Sequence, residues 1–141
     1  MQKIYLVLAV LLLTSCANLR LTTIHYSYHQ DREKGYNELH NGLGIEWEFE
    51  EGWHAGVIHY VNSQVGLSNA VTLVKEWEVS ENWDLGLMIG IADGYKEINW
   101  TPNGPVLEDR NQMLGGFMIQ RIPFRIVIAP SVTIFGLVVE F

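Results

Sequence analysis

The feature that most constrains this chain is a strict alternation of side-chain character. In Gly42 to Phe49, GLGIEWEF, every second residue is large and apolar (Leu43, Ile45, Trp47, Phe49), and those between are Gly42, Gly44, Glu46 and Glu48. Successive side chains of a strand point to opposite faces, so a period of two marks a strand with one apolar face and one small or acidic face. Trp83 to Ala92, WDLGLMIGIA, sets Trp83, Leu85, Leu87, Ile89 and Ile91 against Asp84, Gly86, Met88, Gly90 and Ala92. Thr133 to Phe141 sets Phe135, Leu137, Val139 and Phe141 against Ile134, Gly136, Val138 and Glu140. Beyond the N-terminal apolar run no stretch carries a helical period, so the chain reads as all-β.

Eight strands are expected, at about 20–29, 40–50, 53–62, 69–80, 83–94, 112–121, 124–130 and 132–141. The links 51–52, 81–82, 122–123 and 131 are very short, whereas 30–39, 63–68 and 95–111 are longer and polar. Up to the last link, long and short connections alternate. An antiparallel up-and-down barrel produces that rhythm when its tight turns lie at one end and its loops at the other, as in outer-membrane barrels. Strands four and six alternate less cleanly: Lys75 falls on the apolar parity, and Met113 to Ile119 is apolar on both.

Face chemistry separates two kinds of barrel. A soluble binding barrel of the lipocalin type keeps its large apolar residues inside. Here the opposing face carries Gly, Glu and Asp, and unpaired carboxylates in a narrow closed interior are costly. A lumen lined by small and acidic residues with an apolar exterior predicts an eight-stranded transmembrane β-barrel. Trp47, Trp53, Trp77 and Trp83 fall near the short turns, where an interfacial aromatic girdle belongs, and the chain ends on an aromatic after an alternating strand. Glu46, Glu48, Asp84 and Glu140 are lumen carboxylates, with Arg125 on strand seven as their simplest partner.

The N-terminus carries Lys3 and then ten apolar residues, Ile4 to Leu13, too few to cross a bilayer. Leu13-Thr14-Ser15-Cys16 follows, the pattern of a lipoprotein signal cut before cysteine. Residues 1–15 are therefore expected to be a signal peptide, with Cys16 as a lipidation site opening a barrel domain of residues 16–141. An ordinary signal with an incidental cysteine is the alternative. Cys16 is the sole cysteine, so no disulfide forms within one chain. Residues 16–141 hold sixteen acidic and eight basic residues, a charge of −8. That argues against a nucleic-acid partner, which needs a basic surface.

Candidate chemistry gathers at the loop end. His25 and His29 share a parity with Thr23 and Ser27, opposite Ile24, Tyr26 and Tyr28, which points both histidines into the lumen. Strand three ends in Asn62 and Ser63 at the same end. A histidine near a serine at a barrel mouth forms either a base–nucleophile pair or a set of polar groups satisfying one another. The five histidines show no metal-ligand spacing, and neither a metal nor another cofactor is expected. Asp93-Gly94 and Asn103-Gly104 read as turn dipeptides.

The order of several strings resembles the lipid A palmitoyltransferase family, PagP. HYSYHQDREKGYNE (His25 to Glu38) is similar to that family's His-led first strand and the loop ending in Tyr-Asn-Glu. GLGIEWEFEEGWHAG is similar to its second hairpin, and WDLGLMIGIADG to its fifth strand. The resemblance covers most of residues 24–141, with a small gap in the first loop. It implies an outer-membrane enzyme that moves an acyl chain from a phospholipid to lipid A, acting as a monomer in the bacterial outer membrane. The family's catalytic His matches His25, with His29 as competitor, and its Asp-Ser matches Asn62 and Ser63. Asparagine thus stands where the family has aspartate, and the family's amphipathic helix has no counterpart in residues 17–20. The resemblance makes His25 the base and Ser63 the group that activates or positions the acyl acceptor. Gly42, Gly44, Gly86, Met88 and Gly90 would line the acyl-chain site.

Two alternatives stay open. One is a catalytically silent outer-membrane barrel or lipoprotein with a surface-binding or exclusion role, its function carried by 95–111. The other is a lipid A deacylase, since His25-Tyr26-Ser27 resembles the His-x-Ser pair of PagL-type deacylases, although there the pair sits late in the chain.

Overall fold

The structure, a computed structural model, describes residues 18–141. The expected signal peptide (1–15) and Cys16 lie outside the described residues. Eight strands follow in order: β1 (Leu19–His29), β2 (Leu39–Glu50), β3 (Trp53–Val61), β4 (Leu67–Ser80), β5 (Trp83–Thr101), β6 (Gly104–Arg121), β7 (Phe124–Ile128) and β8 (Val132–Glu140). Each pairs antiparallel with its neighbour in sequence, and β1 pairs with β8 from Arg20↔Glu140 to His29↔Val132, closing the barrel. Closure joins all eight strands into one ring, as an up-and-down barrel requires, although β6 and β7 pair over five residues only.

The pleat sorts the residues as the alternation predicts for β2 to β5. Leu43, Ile45, Trp47, Leu85, Leu87 and Ile89 are exposed on the outside, whereas Gly42, Gly44, Glu46 and Gly86 are buried. The exterior is apolar, and the interior combines buried polar and charged groups with two small apolar clusters, unlike a water-soluble barrel, which keeps its large apolar residues inside. Trp47, Trp77 and Trp83 stand outward near the tight turns. Lys75, on the outer parity of β4, also has a physical explanation. Its stem runs toward the turn end, its Nζ donates to the Glu51 carbonyl at 2.8 Å, and it sits 5.3 Å from the Trp53 ring centroid.

One expected loop is not a loop. Residues 95–111, read as a long polar link, form the outer half of a continuous β5–β6 ribbon that pairs from Tyr95↔Arg110 to Thr101↔Gly104. Its polarity masked it. β4 pairs with β5 only as far as Ala70↔Ala92, so beyond Tyr95 the ribbon projects past the barrel with both faces exposed, and only Ile98 and Trp100 keep an apolar parity. The turn falls instead at Pro102-Asn103, with Gly104 at φ +112°. Asp93-Gly94 is not a turn but a bulge: the β5–β6 register shifts between Ala92 and Tyr95, and Gly94 takes φ +79°. A Cβ there would lie 2.0 Å from the Leu67 carbonyl oxygen, so only glycine fits.

Candidate functional site

The lumen is closed in its turn-side half by ions. Arg20 on β1 donates from Nε to Glu46 Oε2 at 2.7 Å and from Nη1 to Glu76 Oε2 at 2.9 Å. Arg125 on β7 reaches across from the other wall, donating from Nη2 to Glu46 Oε2 and to Glu76 Oε1, each at 3.0 Å. Its Nε donates to Gln120 Oε1 at 2.8 Å, and His54 Nε2 lies 3.3 Å from Glu76 Oε2. Two guanidinium groups and two carboxylates cancel, and forked contacts of this kind satisfy each charge by direct hydrogen bonds. The expected Glu46–Arg125 pair is present; Arg20, Glu76 and His54 complete it. Parity along β4 would have put Glu76 inside with Thr72 and Val74. Glu140 is largely exposed and only reaches 4.0 Å from Arg20.

Above this floor lies a cavity of about 520 Å³. Its walls include Ile24, Ile58, Met88, Leu114, Val127 and Ile134; Glu46, Thr72 and Arg125 form its base, and Asp31, Lys34, Tyr36, Ser63 and Gln64 its mouth. At that mouth Asp31 lies 2.9 Å from the Lys34 ammonium and, by hydrogen bond and charge, raises its pKa. The cavity also reaches the side of the barrel. β6 pairs with β7 only over Phe117–Arg121 with Phe124–Ile128. Beyond that ladder Gln112, Met113, Leu114 and Gly115 all line the cavity, together with Ala129 and Pro130. Four consecutive residues include both faces of the pleat, and a cavity touches both only by passing a strand edge. Met113, 70% exposed, joins that edge to the outer surface.

The glycines assigned to the acyl site do not line this cavity. Neighbours close over them: a Cβ on Gly42 would lie 2.9 Å from Tyr60 Cβ, on Gly44 2.7 Å from Ile58 Cβ, and on Gly86 2.7 Å from Met118 Cε. On Gly90 it would meet the Val71 carbonyl oxygen at 2.6 Å. These glycines make room for the backbone and side chains of the neighbouring strands, while Met88, Gly115 and Gly136 are on the wall.

His25 does not face the lumen either. The register of β1 shifts between Ile24 and Tyr26 against both neighbouring strands, so His25 is a bulge residue. One extra residue flips parity: Ile24 and Ser27 both line the cavity, and His25 is exposed, its Nε2 2.9 Å from Thr23 Oγ1. His29 stays inside at the mouth, its ring tilted against Tyr36 with centroids 4.7 Å apart. Ser63 is half-buried at the mouth, and among the described residues no imidazole is hydrogen-bonded to its hydroxyl.

Asn62 is fully buried and spends its amide on the β3–β4 turn. Oδ1 accepts from Gln64 N and Gly66 N, each at 2.9 Å, and Nδ2 donates to Ser68 Oγ and Gly94 O, each at 2.9 Å. Both acceptor positions and both donors are used. No valence is left to orient a histidine, so Asn62 holds its neighbour Ser63 in place and has no imidazole partner.

The imidazole that does meet a serine is His40, at the start of β2. Its Nε2 lies 2.6 Å from Ser27 Oγ, and its Nδ1 lies 2.5 Å from the Val61 carbonyl oxygen. Ser27 and His40 are buried and both line the cavity, with Tyr60 edge-on to the ring at 6.1 Å. His40 shares its parity with Gly42, Gly44 and Glu46, which is the signal that could have placed it inside. Ser27 was on the right face for a reason that the bulge at His25 hides. In comparisons with known proteins the chain matches no family model and no curated protein.

Proposed function

We propose that this barrel sits in the bacterial outer membrane and moves an acyl chain from a phospholipid to lipid A. The observation that carries the proposal is the cavity. It is floored by a neutral ionic cluster, walled by Ile24, Ile58, Met88, Leu114, Val127 and Ile134, and continuous with the outer surface where the β6–β7 ladder ends. An apolar blind space of about 520 Å³ is within the range of small-molecule sites and suits a hydrocarbon tail. A side entry lets that tail arrive from a lipid leaflet without leaving an apolar medium, and the apolar exterior fits a bilayer environment. The resemblance to the palmitoyltransferase family points to the same substrates. The proposal does not run through a pair of His25 and Ser63, since these are on opposite sides of the β1 wall.

The test is mass spectrometry of lipid A from a Gram-negative host with and without the protein. The expected result is a lipid A species heavier by one acyl chain. Leu114→Trp sharpens it. Leu114 shares the inner parity of β6 with buried Met118 and Gln120 and lines the cavity, so a larger ring there takes up its space. This variant should fold, and should lose acyl addition or accept only a shorter chain. Unchanged lipid A with the wild-type protein sinks the proposal, and lipid A lighter by one chain makes the protein a deacylase.

A specific observation favours the silent surface barrel as the second candidate: the projecting β5–β6 ribbon exposes Ile98, Trp100 and Leu107. That alternative expects unchanged lipid A and a function lost on removing the ribbon.

A further inference from the structure

Ser27 and His40 form a hydrogen-bonded pair whose proton positions follow from the acceptor at its far end. A carbonyl oxygen cannot donate, so the 2.5 Å contact with Val61 O places the proton of a neutral His40 on Nδ1. Nε2 is then a bare acceptor, and the 2.6 Å contact is the Ser27 hydroxyl donating to it. A serine hydroxyl pointed at an unprotonated imidazole nitrogen, with the other nitrogen anchored, is the arrangement that activates a serine for attack. The pair borders the cavity from within the wall, Ser27 1% and His40 4% exposed. Two residues on along the same face, His29 also lines the cavity, and its Nε2 is buried with no hydrogen-bond partner.

We propose that Ser27 is a nucleophile that takes an acyl group from an ester, with His40 as its general base and the Val61 carbonyl as the group that fixes the ring. Ser27 Oγ bonds to the ester carbonyl carbon while its proton passes to His40 Nε2. The carbon–oxygen bond to the alcohol breaks, and the departing alcohol oxygen takes the proton from Nε2. The acyl group is then an ester of Ser27. An incoming hydroxyl reverses the sequence, giving its proton to Nε2 as its oxygen bonds to the acyl carbon, and Ser27 Oγ recovers that proton on release. The inference rests on the acyl-lipid proposal for its natural substrate, but the serine chemistry can be read separately.

The experiment uses the full chain, folded in detergent micelles, and a long-chain alkyl fluorophosphonate, which bonds to activated serines. Peptide mass mapping of the wild-type protein should find one adduct, on Ser27. His40→Ala should slow labelling by about 100-fold or more while keeping the heat-modifiable gel migration of a folded barrel. A pair that only ties β1 to β2 and β3 would give no adduct, so the readout separates chemistry from structure. An adduct on Ser63, no adduct, or undiminished labelling of folded His40→Ala overturns the inference. The two proposals can fail separately. A Ser27 adduct with unchanged lipid A leaves an ester-cleaving pair and removes the lipid A assignment. Acylated lipid A without a Ser27 adduct does the opposite.

Discussion

Asn62 carries the clearest consequence at the scale of single residues. Its Nδ2 donates to Ser68 Oγ and to the Gly94 carbonyl, two partners that a carboxylate oxygen cannot satisfy in the same way. The Ser68 hydroxyl already donates to the Asp93 carbonyl, so it has no second proton to offer. Asn62→Asp, which restores the aspartate of the resembling family, should therefore bring a buried charge against a carbonyl oxygen. We expect a loss of about 2 kcal/mol in equilibrium unfolding by urea in detergent, the scale of a buried polar group left unmatched. A variant as stable as wild type would show that the turn does not depend on this amide. The substitution should not create a histidine partner for Ser63, because His25 remains on the outer face of the β1 bulge. Asparagine at this position is thus explained by the turn it closes, with no catalytic loss invoked.

At the scale of elements the β5–β6 ribbon is the part least tied to the barrel. From Tyr95 to Arg110 its strands pair with one another, and β4 has already ended its pairing at Ala70↔Ala92. Gln64 supplies a tether, accepting from Lys96 N at 2.7 Å and donating to Lys96 O at 3.0 Å. Joining Lys96 to Asp109 through a short turn, which keeps Tyr95 and its contact with Tyr60, should therefore leave the heat-modifiable migration intact and lower stability only by the loss of an exposed ribbon. If the shortened protein no longer folds, the ribbon is part of the barrel's framework. The same element shows how far the sequence could be read. Period-two alternation places β2, β3 and β5 within the barrel, because one face of each meets the apolar exterior and the other the lumen. Where both faces are exposed the period shrinks to Ile98 and Trp100, and Tyr95 to Thr101 looks like a loop. The site was harder to read than the strands. A bulge adds one residue and reverses every parity after it, so the chain places Ser27 and His29 inside and His25 outside, which no count of twos can foresee. The glycines misled for a related reason: parity correctly put Gly42, Gly44 and Gly86 inside, but which neighbour fills the space beside a glycine is set across strands. His40 was within reach of the same parity that placed Glu46, and it was hidden because its serine partner comes from the bulged strand.

The whole molecule divides into an open half and a sealed half, and the seal determines what the barrel can do. Arg20, Glu46, Glu76 and Arg125 come from four strands and meet in the lumen, all of them buried to within a tenth of full exposure. A cluster of this kind costs several kcal/mol per ion in lost hydration and recovers it only while every charge has its partner. Removing one member is therefore worse than removing all. Glu46→Ala leaves two guanidinium groups sharing Glu76, and should cost about 3–5 kcal/mol in urea unfolding and admit water and ions to the lumen. Arg20→Met, Glu46→Leu, Glu76→Met and Arg125→Met together should cost less than Glu46→Ala alone, because no uncompensated charge remains and only His54 and Gln120 lose a hydrogen-bond partner. Conductance across a planar bilayer reads the same cluster independently of stability. The wild-type protein and the fourfold variant should both block current, and Glu46→Ala should pass it. A steady current through the wild-type barrel would mean that the floor is open. The cavity above it would then be the vestibule of a pore, and the side entry at β6–β7 would lose its reason, since an apolar tail has no use for a water-filled passage.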